Sequence, residues 1–305
     1  MILKIHRLGH TEAHLLIVYY LKHVFPGPLD EERQQFVNRN GTVFTKWLWG
    51  TGGFYDKSFD LSGASTFSDY PDTIQQSPHF QRYLAELWRA VHESSYCQWF
   101  MNYPYLNEIT ALLEPTRRPW PEELGSMDPY NGLWWNVNLS KRIFDAHKRC
   151  LIVSPFAPLF EEQFKSGRYT QLWKNPCDNM NGFEHLLAVQ FPFCFVNNGP
   201  DANFWETLDR MFAEIQDVCR RENIDLVCLS CGCYGHILVD RIVSHLNISA
   251  VYFGSALPKH FGIDFLPPHK EIPTTYVAEN WILSCPPELQ FERRDVCDIQ
   301  RYFGR

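Results

Sequence analysis

The sequence contains no apolar run approaching the roughly 20 residues that a membrane-spanning helix takes, so no transmembrane segment is expected. It has no excess of positive charge either: 28 Lys and Arg stand against 35 Asp and Glu, for a net charge of −7. The cations are scattered rather than striped, so a phosphate backbone meets no cationic field, and nucleic acid is not an expected partner. There is no internal repeat and no low-complexity tract. The first residues lack the build of a secretory signal: the run 15–21 is interrupted by Tyr19 and Tyr20, follows Glu12 and His14, and leads to no small-residue cleavage site. A cytoplasmic location is the expectation, and cysteine usage agrees. The ten cysteines include Cys150, Cys194 and Cys228 inside apparent core strands, which reads as reduced thiols rather than a disulfide framework. The Asn-x-Ser/Thr triplets at Asn40, Asn138 and Asn247 are then chance matches.

What is present is enough apolar material for one large core: 305 residues, 45% of them hydrophobic. From position 149 onward, short β-rich runs alternate with helical patterns, the mark of βα units and a largely parallel, Rossmann-like sheet with helices on both faces. The runs 150–156, 186–191, 225–230 and 249–254 read as strands. Helices are expected after the first, at 203–223 with Asn203 and Glu206 at its start, and at 236–246. Earlier, 79–95 reads as a helix and 96–101 as a strand. A single α/β domain over 1–264 and a Pro-studded arm over 265–305, packed on the domain, complete the expected organisation.

Two stretches carry the polar chemistry. The first is "RLGHTE" (7–12), where a strand turns through Gly into a helix. Arg7 suits phosphate oxygens, and Glu12 with His10, two apart on a turn, can share one divalent cation. A structural reading stands beside this: Arg7 pairs with Glu12, and Glu12 complements the helix dipole. The second is "LSCGCYGHILVDRI" (229–242), a strand, a Gly-rich turn and a helix start, where amides and dipole favour phosphate. Ser230, Gly232, Tyr234 and Gly235 lie in it; the structural alternative is that the glycines only allow close helix packing. The dinucleotide fingerprint wants a first Gly where Ser230 stands, and an acidic residue at the next strand tip, which here reads "YFGSA". Nicotinamide and flavin cofactors lose ground on that count; a phosphate-bearing ligand does not.

These two stretches resemble the GT-D type glycosyltransferases, a family with a Rossmann-like domain and an Arg-x-Gly-Asp-x-Glu signature after an early strand. Arg7, Gly9 and Glu12 match the signature, and His10 takes the place of its Asp. The segment 229–242 followed by "ISAVYFGSA" is similar to the family's second half, where a Gly-rich turn and helix lead to a strand ending in Gly, here Gly254 followed by Ser255. The segments 52–56 and 151–156 are weaker echoes. The resemblance implies transfer of a sugar from a nucleotide-sugar donor, UDP- or GDP-linked, to a glycan hydroxyl, with Mn or Mg held by Glu12 and His10. An imidazole in place of a hard carboxylate weakens the expected metal dependence.

Aromatic content points the same way. Trp49, Phe54, Tyr55, Trp134 and Trp135 fall in apparent loops beside Asp56, Asp128, Asn131 and Asn136, and flat rings with nearby polar groups suit sugars, while the structural alternative, favoured for most of them, is a place in the core. Asp56, ending the Gly-rich aromatic loop, is the candidate base for the acceptor hydroxyl. Rival classes are another nucleotide-dependent enzyme, a methyltransferase or oxidoreductase, and a non-catalytic glycan-binding protein. A zinc hydrolase is disfavoured because Gly9 breaks the helix that His6, His10 and His14 would need to share. Cys228, Cys231 and Cys233 have no second cluster to close a tetrahedral site.

Overall fold

The computed structural model describes residues 2–61, 63–64, 66–99, 102–124, 137–195, 197–264, 276–286 and 289. Strand β1 (Lys4–Leu8) leads through Gly9 into α1 (His10–His23), followed by α2 (Glu31–Trp47) and α3 (Pro78–Val91). Then come β2 (Tyr96–Trp99), α4 (Leu106–Leu113), α5 (Val137–Asp145), β3 (Arg149–Ser154), α6 (Ala157–Lys165) and β4 (His185–Gln190). The βα alternation continues with α7 (Phe204–Glu222), β5 (Leu226–Leu229), α8 (Tyr234–Leu246), β6 (Ser249–Tyr252) and the short α9 (Leu257–His260). The six strands form one sheet in the order β2-β1-β6-β5-β3-β4, with every pairing parallel. This is an α/β, Rossmann-like architecture.

Alternate side chains along each strand feed two cores. Leu151 and Val153 of β3, with Val227 and Leu229 of β5, face one core, built with α1, α3, α7 and α8. Cys150 and Ile152, with Leu226 and Cys228, face the other, which α5, α6 and α9 complete. Helix α1 is apolar nearly all round, with Ala13, Leu15, Leu16, Ile17, Val18, Tyr20 and Leu21 buried, because α2 and α3 cover the side turned from the sheet. Helix α7 starts as its sequence indicates: Asn203 accepts hydrogen bonds from the amides of Trp205 and Glu206, while the Glu206 carboxylate accepts from the Ala202 amide.

Beyond the domain proper, Gln163 of α6 donates to the carbonyls of Phe261 and Asn280, each at 2.8 Å. Trp281, Cys285 and Leu289 are buried, so the described part of the 265–305 stretch packs against the α6 face. Among the described residues no helix is long and apolar enough to cross a membrane.

Candidate functional site

Strand β1 is unusual for a central strand because Lys4, His6 and Arg7 are all buried in it. Each is given a partner. Lys4 Nζ donates to the His92 carbonyl and to Asp240 of α8, both at 2.7 Å, and His6 meets His236 of α8 with Nδ1 to Nδ1 at 3.3 Å. Burial drives the pKa of both imidazoles down, that of His236 to about 3, so they are neutral and share one N–H between them. Arg7 lies at the strand's carboxyl end, where Nη1 donates to the Phe253 carbonyl just past β6, at 3.0 Å.

That contact joins two neighbouring strands at the point where their continuations part. The chain leaves β1 into α1 on one face of the sheet and leaves β6 into the Gly254–Ala256 turn and α9 on the other. Adjacent parallel strands whose continuations part in this way open a cleft at their carboxyl ends, the usual ligand position in α/β sheets. Arg7, Gly9, Glu12, Gly254 and Ser255 all converge there, and Ser255 is exposed. Gly254 has a left-handed φ of +58°, and a Cβ on it would lie 2.6 Å from Arg7 Nη1. Gly254→Ala is therefore expected to push the guanidinium off the Phe253 carbonyl and to strain the backbone by about 1–2 kcal/mol. Thermal unfolding should show the small loss, and any ligand that depends on Arg7 should bind at least several-fold more weakly in calorimetry.

Glu12 folds back over Gly9, where a Cβ would lie 2.6 Å from its Oε2. It is buried, and burial raises its pKa, while a hydrogen bond to its own amide and the charge of Arg7 pull the other way. Tyr83, Tyr103, Tyr252 and Cys233 surround it closely enough for its charge to raise their pKa values, after the larger effect of their own burial. The Glu12 carboxyl thus lies at the amino end of α1, with the phenols of Tyr83, Tyr103 and Tyr252 within reach of its charge. The Tyr83 hydroxyl is buried with no hydrogen-bond partner.

His10 does not join Glu12. Side chains two apart on a helix point to different sides, and the His10 ring bonds Tyr103 Oη at 3.1 Å and packs against His14 and Phe44. The pair expected to share a cation is therefore a poor chelate: Glu12 supplies a hard oxygen inside, and His10 an exposed imidazole on the rim. Among the described residues no cluster of three or more His, Cys, Asp or Glu is placed to hold a metal. Cys228 points into one core while Cys231 and Cys233 belong to the other, so these thiols do not converge.

The Gly-rich turn corrects a second expectation. The Gly52 carbonyl accepts the Cys233 amide at 2.8 Å, so the amino end of α8 is covered by the chain itself. Gly232, at φ +60°, is glycine because a Cβ would lie 2.4 Å from that same carbonyl oxygen. Gly235 gives room to the Tyr252 ring, which a Cβ would meet at 2.1 Å, and Tyr234 is buried against Phe204, with ring centroids 4.1 Å apart. Gly232, Tyr234 and Gly235 thus serve packing rather than an open phosphate cradle. Ser230, half-buried at the tip of β5, keeps an edge toward solvent.

The loop aromatics are corrected as well. Trp49, Phe54 and Tyr55 are fully buried, with Phe54 stacked on Phe204 at 5.0 Å, so none offers a face to a sugar. Asp56 is only 4% exposed and accepts hydrogen bonds from the Ser58 amide and hydroxyl, the Ser77 hydroxyl and His79. Burial pushes its pKa up, yet these bonds and the His79 charge outweigh it and hold the carboxyl below its ordinary value. A carboxylate that is depressed and fully engaged ties a loop to α3 and is a poor proton acceptor. Trp134, Trp135, Asp128, Asn131 and Asn136 lie outside the described residues.

No family model, no curated protein and no solved structure matches the chain. Its class is given by its architecture: an α/β protein of Rossmann-like build with buried charged residues, Arg7 and Glu12, at the carboxyl end of β1 beside β6.

Proposed function

We propose that the chain is a glycosyltransferase that takes a sugar from a nucleoside-diphosphate donor to a glycan hydroxyl. The observation that carries this reading is the placement of Arg7 and Glu12, the two charged matches to the GT-D signature, in the crevice beside Gly254. Transfer breaks the bond between the anomeric carbon and the phosphate oxygen, and the developing charge on the diphosphate needs a fixed cation. Arg7 supplies it from a strand end, with its head oriented by the Phe253 carbonyl and by the Glu12 charge. The acceptor oxygen forms the new bond and gives up its proton. His10, exposed on the rim and held neutral by the lowered pKa that partial burial produces, is the group placed to accept it. The donor set around Glu12 does not fit the expected two-ligand metal site, since His10 turns away to Tyr103.

Two observations weigh against the rival classes. The tip of β6 carries no carboxylate for a ribose, and Trp49, Phe54 and Tyr55, three of the aromatics expected to form a glycan platform, are in the core. UDP or GDP is expected to raise the melting temperature, since a ligand at 100 times its Kd adds about 2.7 kcal/mol to the stability of the state it binds. A thermal-shift series with UDP, GDP, S-adenosylmethionine and NAD checks this. A shift with S-adenosylmethionine or NAD alone would overturn the glycosyltransferase reading.

A further inference from the structure

An open depression of about 500 Å³ lies at the carboxyl end of β4, lined by Gln190, Phe193, Pro200, Asp201 and Arg210 among others. Its size falls in the range of small-molecule clefts, about 300–1,000 Å³. It opens at the same end of the sheet as the Arg7 crevice. The sheet order places β4 three strands from β6, about 14 Å at the usual strand spacing.

The rim of this depression is built, not incidental. The Asp201 amide donates to Tyr55 Oη at 3.1 Å, and its carboxylate accepts from the Thr207 hydroxyl at 2.5 Å and from Arg210 Nη2 at 2.9 Å. Gly199 lets this loop lie flat on the Tyr55 ring, which a Cβ would meet at 2.0 Å. Asn197 pins the loop from the other side, accepting the Asp56 amide and donating to the Phe59 carbonyl, both at 3.0 Å. The Gly-rich aromatic segment therefore does relate to this site, as the floor beneath the loop.

The lining has a definite chemistry. Phe193 is half-buried and packs edge-on against Phe156 at 5.6 Å, which fixes its plane. Arg210 and Asp201 neutralise each other, so the depression has no net charge for a phosphate or a peptide terminus to seek, while the half-exposed guanidinium keeps donors toward solvent. Gln190 is exposed and adds an amide whose contact with the Pro155 carbonyl is long, at 3.4 Å. A rigid aromatic face beside neutral, oriented donors and acceptors matches an uncharged polyhydroxylated ring.

The geometry points to a carbohydrate acceptor subsite at the carboxyl end of β4, with Phe193 as the stacking face and Gln190, Asp201 and Arg210 as hydroxyl partners. It rests on the proposed sugar transfer and adds where the acceptor lies. The donor is held at β1 and β6, and the acceptor reaches across the tips of β5 and β3.

Saturation-transfer NMR with the methyl glycosides of glucose, galactose, mannose and N-acetylglucosamine tests this on the full chain, alongside calorimetric titration of UDP and GDP. At least one glycoside is expected to receive saturation from the wild-type protein, and its affinity to fall about tenfold in Phe193→Ala. Gln190→Ala, a surface change that leaves packing alone, is expected to weaken it several-fold, which keeps the test valid if Phe193→Ala fails to fold. No transfer to any glycoside, or equal transfer in wild type and Gln190→Ala, overturns the subsite. The nucleotide titrations judge the donor crevice separately: UDP or GDP binding without glycoside binding sinks the subsite alone, and glycoside binding without nucleotide binding sinks the transferase reading.

Discussion

Glu12→Gln is expected to make the protein more stable at neutral pH while lowering sugar transfer about a hundredfold. The sign follows from burial. The folded-state pKa of Glu12 lies above the ordinary glutamate value of 4.5, so ionising it in place works against the fold. Below that value the carboxyl is protonated in both folded and unfolded chains and the full stability is present. As pH rises through the raised folded pKa, that contribution is lost. Gln has the same shape and never ionises, so the wild-type and variant melting curves should coincide near pH 4 and separate as pH increases. A buried charge that costs stability is retained for what it does. Here it orients Arg7, and the loss should fall on turnover more than on UDP affinity. Melting curves across pH 4–8 beside a donor-turnover assay read both effects; a variant less stable than wild type at pH 7, or one with full turnover, would reduce Glu12 to a helix-end residue.

Gly232→Ala should be among the most damaging single-atom additions in the molecule. An alanine at φ +60° costs about 1–2 kcal/mol, and its Cβ would overlap the Gly52 carbonyl oxygen, a backbone atom that cannot swing aside. The hydrogen bond from the Cys233 amide to that carbonyl is then lost or lengthened. The total is about 3 kcal/mol, or roughly 5–10 °C in melting temperature. Gly167 provides the control: it has a comparable φ of +70°, but nothing lies within 4 Å of its Cβ position, so Gly167→Ala should show the backbone cost alone. Equal losses at the two positions would mean that contact with Gly52 contributes nothing.

The second half of the chain was legible because each βα unit there obeys one rule at a time. The hydrophobic β-rich runs read at 150–156 and 225–230 hold β3 and β5, with β3 ending at Ser154 and β5 spanning Leu226–Leu229, and the 203–223 periodicity is α7 with its Asn203 cap. The first half hides its elements. Helix α2 buries only Val37, Gly41, Phe44 and Thr45, a stripe too narrow to register, because it packs on another helix rather than on the sheet. Arg7 and Glu12 could be singled out since polar residues at a strand end need a reason. The aromatic loop leaves platform and core both open in the sequence, because glycine beside tryptophan looks like an exposed turn. Here Gly50 is glycine so that Phe67 can lie against the backbone, where a Cβ would come within 2.3 Å of its ring. Nothing in the residues of the 190–201 segment announced a site, since its shape depends on Tyr55 and Asp56 from a distant part of the chain.

The position of β1 between β2 and β6 also sets a timetable. Its polar end is completed by Phe253, 246 positions later in the chain, so during synthesis β1 can pair on one side only until nearly the whole sheet has been made. Until then it presents an open strand edge and the unsatisfied interior groups Lys4, His6 and Arg7, a state prone to wrong pairing. Closing so long a loop is slow, and the crevice at Arg7 is formed in the same event. A chain released before β6 emerges would carry Arg7 and Glu12 without the Phe253 carbonyl that holds Arg7, so among the described strands the last made completes the surroundings of the first.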